Sequence, residues 1–596
     1  MALGGGTFTT QNKTLPGTYI NFISKERANA SVSDRGYAAM PMLLDWGPEN
    51  QVITVTNEDF IKNSLKNFGY AYDADELKGL RDLFTNATTF YTYRLNGGGV
   101  KASNAFGTAK YGGSLGNGIC NVVGVSEKIN STVSADDMEV GTMHDNTMSV
   151  AIESYVLNPY FSVIGEADIT VENVNDTVGG TSFENVLKIK GKINSTSTKG
   201  IYNALKVEAL GQAVITLYCA NGDALGEGST TQTTWDIGLY DENFNSIETA
   251  GVDNIVNHSG GNAITLEIPK KGTYYIGFAG ATFKLYSANI TIYDYNVKTI
   301  FNGETVEEQT VNVITDLESD YIDYDSDATL YETAGIYMTG GTDVTAASAT
   351  AHQKALNALE SYSFNTLGCI SADDTIKKLY VEYTKRLRDE SGIKFQTVVS
   401  NYAADYEGVI NVANSVKDGE SGNEIVYWVT GASAGCAVNK SLANTTYNGE
   451  YNVYTDYTQL ELTALLKAGK FVLHKVGDDV RVLKDINSFV STTKDKNEDF
   501  TLNQVIRVLD QIGNDVAVLF NDNYCGKVPN DKAGRLSLWN DIIKYCQTLS
   551  DIRAIEDFSD DDCFVAAGDS KTAVVVDLSV YPTCAMDTLY MTVYVR

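Results

Sequence analysis

The sequence has little positive charge, and this deficit limits the partners that it can bind. Its 596 residues contain 45 Lys and Arg against 76 Asp and Glu, which gives a formal net charge of -31. Nucleic acids and anionic membranes attract proteins that carry an excess of Lys and Arg. We therefore expect neither a nucleic-acid nor a membrane partner. Copies of so acidic a chain also repel one another, unless local basic patches meet acidic ones.

Residue types that bind metals or carry out catalysis are scarce as well. The chain has only four His, and its eight Cys are scattered without any Cys-x-x-Cys pair. Zinc sites and redox pairs depend on such spacing, so we expect free, buried thiols and no cofactor. The sequence also lacks an apolar signal core and any run of about 18 apolar residues, which predicts neither an export signal nor a membrane helix.

The length and the patterning predict several domains. A chain of 596 residues is too long for one hydrophobic core. From about 36 to 121, and again after about 295, strand-like runs alternate with helical ones, which is typical of an α/β domain. Between about 125 and 295 helical periodicity disappears, and short alternating runs separated by Gly, Asn and Asp predict a β-sandwich. Since the flanks share one pattern, we predict that this β-rich block is inserted into a loop of the α/β domain.

The strongest candidate for chemistry is the stretch "IVYWVTGASAGCAVNKSL" (425–442). We interpret it as a strand, a turn and a helix, the context in which α/β-hydrolases present a nucleophilic serine, here Ser433. A catalytic triad needs a His after this serine, and His474 is the only one. It lies within the predicted strand "FVLHKV", so we predict that the small residues around Ser433 serve close packing and not catalysis.

Two loops have the spacing of ligand-binding motifs without their full set of residues. The segment "GGSLGNG" (112–118) precedes a strand-like run, whereas a dinucleotide loop must open a helix, so we predict a turn. In "DYDSDATLYETA" (323–334) the aspartates have calcium-loop spacing. The sixth position is Ala328 instead of Gly and the twelfth is Ala334 instead of Glu, so we predict a solvated acidic loop and no metal.

Both ends of the chain have the pattern of strands. In "DTLYMTVYVR" (587–596) apolar side chains alternate with Tyr, Thr and Arg in a period of two. Such a strand needs hydrogen-bond partners, either in its own sheet or, by β-augmentation, in a sheet of another copy. The patch "GTYINFIS" (17–24) allows the same two interpretations. Head-to-tail exchange of strands does not close on itself, and it therefore produces rings or helical arrays.

Several segments, in consistent order, resemble the tail sheath protein of contractile-tailed bacteriophages, especially the type found in phages and phage-like elements of Gram-positive bacteria. The segments are "GGGTFTTQNKTLPGTYINFIS", "SDRGYAAMPMLLDWGPENQVITVT", "AKYGGSLGNGI", "YSFNTLGC", "WVTGASAGCAVNKSLANTTYNGE", "FVLHKVGDDVRVLKDINSFVS", "GKVPNDKAGR" and "AMDTLYMTVYVR". The resemblance covers about 1–125 and 295–596. The block between them is larger than expected, and its end, "GTYYIGFAGATFKLYSANITI", resembles jelly-roll accessory modules of carbohydrate-active proteins.

The resemblance implies an α/β (α+β) core of tail-sheath type with exchanged terminal β-arms, plus an inserted all-β sandwich like a jelly roll. The expected order is an N-terminal arm (1–30), the first part of the core with an adjoining sheath domain (31–126), the insert as an outer-surface decoration (127–293), the return of the small sheath domain (294–350), the C-terminal α/β core (351–582) and an exchanged strand (583–596).

The resemblance also implies a mechanical function. Sheath subunits stack as hexameric rings that wind helically around a tail tube in a metastable extended state. Contraction then drives the tube through the host envelope for genome ejection, without nucleotide, cofactor or enzymatic activity. The implied partners are further copies of the chain, the tail tube protein, and baseplate and tail terminator proteins. The implied location is the virion tail, assembled in the cytoplasm of the host bacterium.

Specific residues are expected to carry these contacts. For strand exchange they are Thr18, Tyr19, Ile20, Asn21, Phe22, Ile23, Leu589, Tyr590, Met591, Thr592, Val593, Tyr594 and Val595. The expected hinges are Gly17, Ala585, Met586 and Asp587. Lys527, Lys532 and Arg535 form a compact basic cluster, which is either a solvated helix start or a contact with the tube.

An alternative function is glycan binding at a surface through the jelly-roll insert. Aromatic side chains of the insert could stack on sugars, although core packing is the commoner role of such residues. The candidates are Trp235, Tyr240, Tyr274, Tyr275 and Tyr286.

Overall fold

The structure is a computed structural model that describes most of the chain. The described residues are 5–6, 18–19, 32–134, 138–144, 147–152, 160–165, 170–178, 180–190, 203–209, 212–221, 237–243, 245–250, 256–258, 261–270, 272–278 and 282–595. They fall into two compact units. The first unit contains the residues up to Leu44, Pro48–Gly97 and the residues from Thr345 onward, and the second contains Asp45–Gly47 and Gly98–Val344.

The first unit is built on a seven-stranded, mostly parallel sheet. In spatial order its strands are Lys470–Phe471, Val409–Val412, Gln396–Ser400, Thr366–Cys369, Tyr37–Ala39, Thr89–Tyr93 and Val52–Thr56. All neighbouring strands are parallel except the last two, which are antiparallel. The sheet confirms the predicted α/β class for the segments on both sides of the β-rich block.

Helices cover both faces of this sheet. The helices are α1 (Asn57–Phe68), α2 (Lys78–Phe84), α3 (Ala349–Leu359), α4 (Asp374–Asp389), α5 (Ile425–Gly435), α6 (Gln459–Lys467), α7 (Asn503–Asn523) and α8 (Lys532–Asp551). Short 3-10 helices span Asp75–Leu77, Ser114–Gly118, Ile314–Asp316, Glu498–Thr501 and Asp560–Asp562. Val398 packs in one core with α1, α2 and α5, whereas Val399 packs in another with α3 and α4. Successive strand residues point to opposite faces, so the two cores lie on opposite sides of the sheet.

Helices α7 and α8 form a third core with small β-elements. One of these pairs Ile555–Glu556 with Tyr581–Pro582. Another is the C-terminal hairpin, defined as Cys563–Ala567 and Val574–Leu578. Elsewhere in the first unit, the alternating run "FVLHKVGDDVRVLKDI" predicts a hairpin that turns at Gly477-Asp478, and this is confirmed because Leu473–Val476 pairs with Asp479–Val482.

The stretch around Ser433 differs from the prediction. Residues 425–430, which were expected to be a strand, form the first part of helix α5, and Ile425 to Ala434 are all buried. A helix that is apolar all round has no polar face, so periodicity does not distinguish it from a buried strand. Gly431 lies against the backbone of the last turn of α2, and Gly435 lies against the backbone just after it. A Cβ at these positions would stand 2.1 Å from the carbonyl oxygen of Leu83 and 2.0 Å from that of Asn86. The small residues do serve close packing, as predicted, but they allow helix α5 to approach the backbone at the end of α2.

We expect Gly431→Ala to destabilise the protein by about 1–3 kcal/mol, because the added methyl meets a backbone carbonyl that cannot move aside. The free energy of unfolding in urea measures this. Gly513→Ala in α7 is the matched control, since its Cβ would meet only the Lys394 side chain, at 3.3 Å. The control should be neutral or stabilising by up to about 1 kcal/mol. Equal effects at both positions would contradict the packing argument.

A buried ion pair joins α4 to α7. The two terminal nitrogens of Arg388 donate to the two carboxylate oxygens of Asp510 at 2.6 and 2.7 Å, and one of them also donates to the Phe395 carbonyl. Arg388 is 5% exposed and Asp510 is 7% exposed. This bidentate geometry satisfies both charges within the core.

Arg388→Met should lower the free energy of unfolding by about 3–5 kcal/mol, because it leaves the Asp510 charge buried without a partner. The double variant Arg388→Met with Asp510→Leu removes both charges and should recover most of that loss. Urea denaturation of the three proteins measures the difference. A double variant as unstable as the single one would contradict this account.

The described part of the second unit consists mainly of strands, and between 127 and 293 it includes no α-helix. One sheet has the order Ser246–Ala250, Ile237–Tyr240, Gly272–Phe278, Asn203–Ala209, Tyr160–Gly165, Thr147–Ile152 and Met138–His144. The main path of the other is Thr170–Val178, Thr181–Lys190, Thr282–Phe301, Ala213–Asn221, Gly261–Ile268 and Val256–His258. Strands Ile119–Ser134, Glu304–Val311 and Thr333–Tyr337 extend it, and Ile322–Tyr324, Gly107–Ala109 and Ser103–Asn104 form a small third sheet. The jelly-roll character and the boundaries at 127 and 293 stay predictions.

A partly buried polar contact in the second unit should make its stability depend on pH. Burial by itself would raise the pKa of Asp176. The Lys284 ammonium and the Tyr286 hydroxyl both donate to this carboxylate, at 2.7 and 2.8 Å, and together they bring its pKa below the ordinary 3.8. A carboxylate with a lowered pKa contributes stability above its unfolded pKa, and this contribution is lost as the pH falls through the folded value.

We expect Lys284→Met to destabilise the second unit at pH 7, and the deficit to shrink as the pH falls below about 4. Hydrogen exchange of the strand amides, compared between the variant and the unsubstituted protein at pH 7 and at pH 3, measures it. A deficit that stays constant across this range would show that the ion pair is not its source.

All eight cysteines lie in the described part of the chain, and all are unpaired. Six are buried, as expected. Cys525, just after α7, and Cys584 are exposed, so the prediction of buried thiols is wrong for these two.

Candidate assembly surfaces

Residues 583–595, here called the C-terminal arm, leave the first unit and form neither helix nor strand. The side chains of Leu589, Tyr590 and Val595 are 82%, 93% and 95% exposed. Among the described residues, no hydrogen bond connects Leu589–Val595 to the rest of the chain. Within the described residues, this segment therefore does not complete a sheet of its own chain.

Three contacts fix the base of the C-terminal arm. The Thr583 amide donates to the Ala554 carbonyl at 3.0 Å, and the Ala585 amide donates to the side-chain oxygen of Gln504 at 3.0 Å. The Lys484 ammonium lies 3.3 Å from the Asp587 carboxylate. Met586, between these contacts, is fully exposed. Two of the three residues predicted to form the hinge, Ala585 and Asp587, are thus bonded to the first unit, and the hinge stays a prediction.

The N-terminal arm is described only in part. Thr18–Tyr19 pairs in parallel with Gly5–Gly6 of the same chain. The other residues predicted for this arm, Gly17 and Ile20 to Ile23, lie outside the described residues. The chain joins the first unit at Ser33–Arg35, where it is bonded to α7.

The C-terminal hairpin is an exposed sheet of only two strands. Each of its strands has one unpaired edge within the described structure. Phe564, Val575 and Val576 on the hairpin are 63%, 47% and 36% exposed. Free edges beside apolar side chains are a template for pairing with another strand. This hairpin was not predicted, although the alternation around the turn "GDSKT" was a usable signal.

The predicted basic cluster gathers at the start of α8. The Lys527 ammonium donates to the Asp522 carbonyl, and Arg535 donates to the carbonyl and side-chain oxygens of Asn530 at 3.1 and 2.8 Å. Lys532 and Arg535 line a groove of about 510 Å³ between α8 and the hairpin. Leu536, Trp539 and Phe564 supply apolar walls to the same groove. The cluster is thus partly occupied by local contacts, and its role at the tube stays a prediction.

The surroundings of Ser433 do not have the geometry of a catalytic serine. Ser433 is 1% exposed, within α5, and does not stand on a turn between a strand and a helix. Its carbonyl accepts a hydrogen bond from Arg35, and His474 lies mid-strand as predicted. The strained turn that exposes a nucleophile is not formed here.

Lysines neutralise the acidic loop at 323–334. Asp323 is paired with Lys101 and Lys110 at 2.9 and 2.8 Å, and Asp327 is paired with Lys270 at 2.5 Å. Within the described residues, no group of three or more His, Cys, Asp or Glu is placed to hold a metal ion.

Two of the five aromatic residues proposed for glycan stacking belong to the core. Tyr274 and Tyr286 are 4% and 2% exposed, and their hydroxyls donate to the Lys270 carbonyl and to Asp176. Tyr240 and Tyr275 are half-buried, and Trp235 lies outside the described residues. None of the helices described is both long enough and apolar enough to cross a membrane.

Three protein-family models match this chain. The phage tail sheath protein central domain matches residues 344–488, the phage tail sheath C-terminal domain matches 495–596, and the N-terminal region of domain III of the tail sheath protein Gp18 matches 35–95. Together these ranges take in more than half of the chain. The chain belongs to the phage tail sheath family. Members of this family are structural components of the virion tail and not enzymes.

Full-length relatives agree with this assignment. The sheath protein is 26% identical over 619 residues to the phage-like element PBSX protein XkdK of Bacillus subtilis, and the match covers 100% of both chains. The crystal structure of a sheath tail protein from Desulfitobacterium hafniense is 25% identical, covers 95% of this chain and 96% of its own, and has a TM-score of 0.59. The tail sheath protein of Clostridium phage phiCD119 is 29% identical over 178 residues, which is 29% of this chain and 50% of that relative.

Proposed function

We propose that this sheath protein polymerises helically around a tail tube by exchanging its terminal strands, and that the assembled sheath contracts to drive the tube through the host envelope for genome ejection. The extended sheath is metastable, and its subunits stack as hexameric rings. The single observation that supports this most strongly is the end of the C-terminal arm, Leu589–Val595, which has the alternation of a strand but no hydrogen-bond partner among the described residues.

The C-terminal arm and the C-terminal hairpin could pair with each other, because each has unpaired backbone groups within the described residues. Leu589, Met591, Val593 and Val595 would form one apolar face of a paired strand. The hairpin offers free strand edges beside Phe564 and Val575, which are 63% and 47% exposed. Docking the arm of one copy on the hairpin of another would remove this apolar surface from water, at about 25 cal/mol per Å² buried. It would also give the arm a hydrogen-bonded ladder.

Exchanged strands suit a structure that shortens without falling apart. The ladder bonds move with the arm, while contacts between core units break and re-form in a packing of lower energy. A gain of a few kcal/mol per subunit, on the scale of ordinary folding free energies, adds up over the many copies of a helical sheath. The chemical energy of a nucleotide is then not required.

The remaining contacts follow from the same arrangement. Lys527, Lys532 and Arg535 face the tube protein, Gly17 and residues 585–587 bend as hinges, and baseplate and terminator proteins hold the sheath ends. The inserted sandwich lies on the outer surface, where it does not collide with the tube. Assembly takes place in the cytoplasm of the host bacterium.

Leu589→Ser should impair polymerisation, because it removes an apolar side chain from the exchanged strand. Leu460→Ser on α6 is the matched control, since Leu460 is 81% exposed and Leu589 is 82% exposed. Electron microscopy and sedimentation of the purified proteins measure tube formation. Deleting the residues after Thr583 should leave a folded monomer that forms no tubes.

Strand exchange through this arm would be excluded by tubes of normal length from the deletion variant. Equal impairment by the two serine substitutions would show that general loss of surface apolarity, and not the arm, controls assembly.

A further inference from the structure

Helix α7 carries a stripe of buried polar side chains along one face. Its members are at most 8% exposed, and each lies three or four residues from another member, which places them on one side of a helix. They are Asn503, Gln504, Arg507, Asp510, Gln511 and Asp515. Burying such groups is unfavourable unless each finds a hydrogen-bond partner. The partners come from several separate parts of the first unit.

One end of the stripe holds the root of the N-terminal arm, defined as Ser33–Arg35. The Ser33 hydroxyl donates to Asp515 at 2.5 Å, and the Gln511 side-chain amide donates to the same hydroxyl at 2.6 Å. Tyr545 on α8 also donates to Asp515, at 2.7 Å. Arg35 adds a bond from its Nε to the Cys436 carbonyl at 2.8 Å.

The other end of the stripe holds the root of the C-terminal arm. The side-chain oxygen of Gln504 accepts the Ala585 amide at 3.0 Å, and Gln504 is only 4% exposed. From Gln504 to Gln511 and Asp515 the helix advances about 10–16 Å at 1.5 Å per residue. The two arms are therefore rooted on the same helix, about two to three turns apart.

The middle of the stripe connects α7 to the rest of the first unit. Asp510 receives the bidentate bond from Arg388 of α4, and Arg507 donates to Asp485 at 3.2 Å. Asp485 follows Lys484, whose ammonium pairs with Asp587 of the C-terminal arm. The second anchor of the C-terminal arm thus also lies next to a partner of α7.

We propose that Gln504, Gln511 and Asp515 are positioning residues that root both arms on α7, so that tension between neighbouring copies passes through this helix. This rests on the proposed exchange of arms. A pull on one arm reaches the other through two polar junctions and a short stretch of helix. The parallel sheet is bonded to the same helix beside the C-terminal root, where the Gln396 side-chain amide donates to Asn503 at 2.9 Å.

Tubes assembled from root variants test this proposal. Ser33→Ala weakens the N-terminal root and Gln504→Met weakens the C-terminal root, while Ser488→Ala is the control. The Ser488 hydroxyl donates to the Tyr406 carbonyl at 3.0 Å, away from both roots. The tubes are exposed to a defined shear flow, and their fragmentation rate is counted in electron micrographs. Monomer stability in urea and amide hydrogen exchange of residues 34–36 and 585–587 are measured alongside.

Each root variant should form tubes of normal diameter that fragment about 5- to 30-fold faster, because one or two hydrogen bonds are lost where the tension acts. The Ser488→Ala tubes should fragment at the unsubstituted rate, even if the monomer is equally destabilised. A role confined to monomer stability would affect all three variants alike. Tyr545→Phe, which removes one donor from Asp515 without altering the arm, provides a second N-terminal variant should Ser33→Ala disturb assembly.

The proposal is overturned if hydrogen exchange shows an opened root while fragmentation stays at the unsubstituted rate. A different result would overturn the exchange of arms itself, namely normal tubes from the protein that lacks the residues after Thr583. The two failures can therefore be distinguished.

Discussion

Buried polar groups on α7 need hydrogen-bond partners, and this requirement brings distant parts of the first unit together. Arg388, Asp485, Ser33 and Ala585 are far apart along the chain, yet each supplies a bond to this one helix. Apolar contacts alone would tolerate sliding between α7 and its neighbours, whereas charged and bidentate bonds fix one arrangement. The helix therefore determines both how the sheet is attached and where the two arms leave the unit.

The second unit satisfies a different constraint, which is that its two ends must meet. The Val100 amide donates to the Thr342 carbonyl at 3.0 Å, and Ser103 is bridged to Thr339. A segment whose two ends lie close together can be inserted into a loop without disturbing the domain that contains the loop. The matched family ranges fit this geometry, since 35–95 and 344–488 lie on either side of the second unit. The full-length match to XkdK extends across the second unit as well.

Much of the fold could be predicted because its signals are local. The amphipathic pattern of α4, the turn at Gly477-Asp478 and the β-rich texture before residue 293 all depend on near neighbours in sequence. Helix α5 was mistaken for a strand because an element buried on every side has no polar face to set a period. The stripe on α7 was missed for the opposite reason. Polar residues at helical spacing indicate a solvent face, and only partners remote in sequence make that face a buried one.

The candidate assembly surfaces also include features that could be predicted from local sequence and features that could not. Alternation predicted that the C-terminal arm would need a partner, because the pattern is complete within residues 587–596. The arm roots could not be predicted, since the bond between Ser33 and Asp515 joins positions 482 residues apart. The role of the C-terminal hairpin was not predicted, because it depends on which strand could pair with the free edges of the hairpin. The residues of the hairpin themselves do not identify that strand.

The two exposed cysteines would allow the distance between the two ends of α7 to be measured. Cys525 lies two residues beyond the end of α7, and Cys584 precedes Ala585, which is bonded near the helix start. They therefore mark the two ends of a helix about 30 Å long, within the range of energy transfer between dyes. Since the other six thiols are buried, a pair of thiol-reactive fluorophores would attach at these positions without any engineered residue. The distance between the two ends of α7 could then be followed by fluorescence in an assembled sheath.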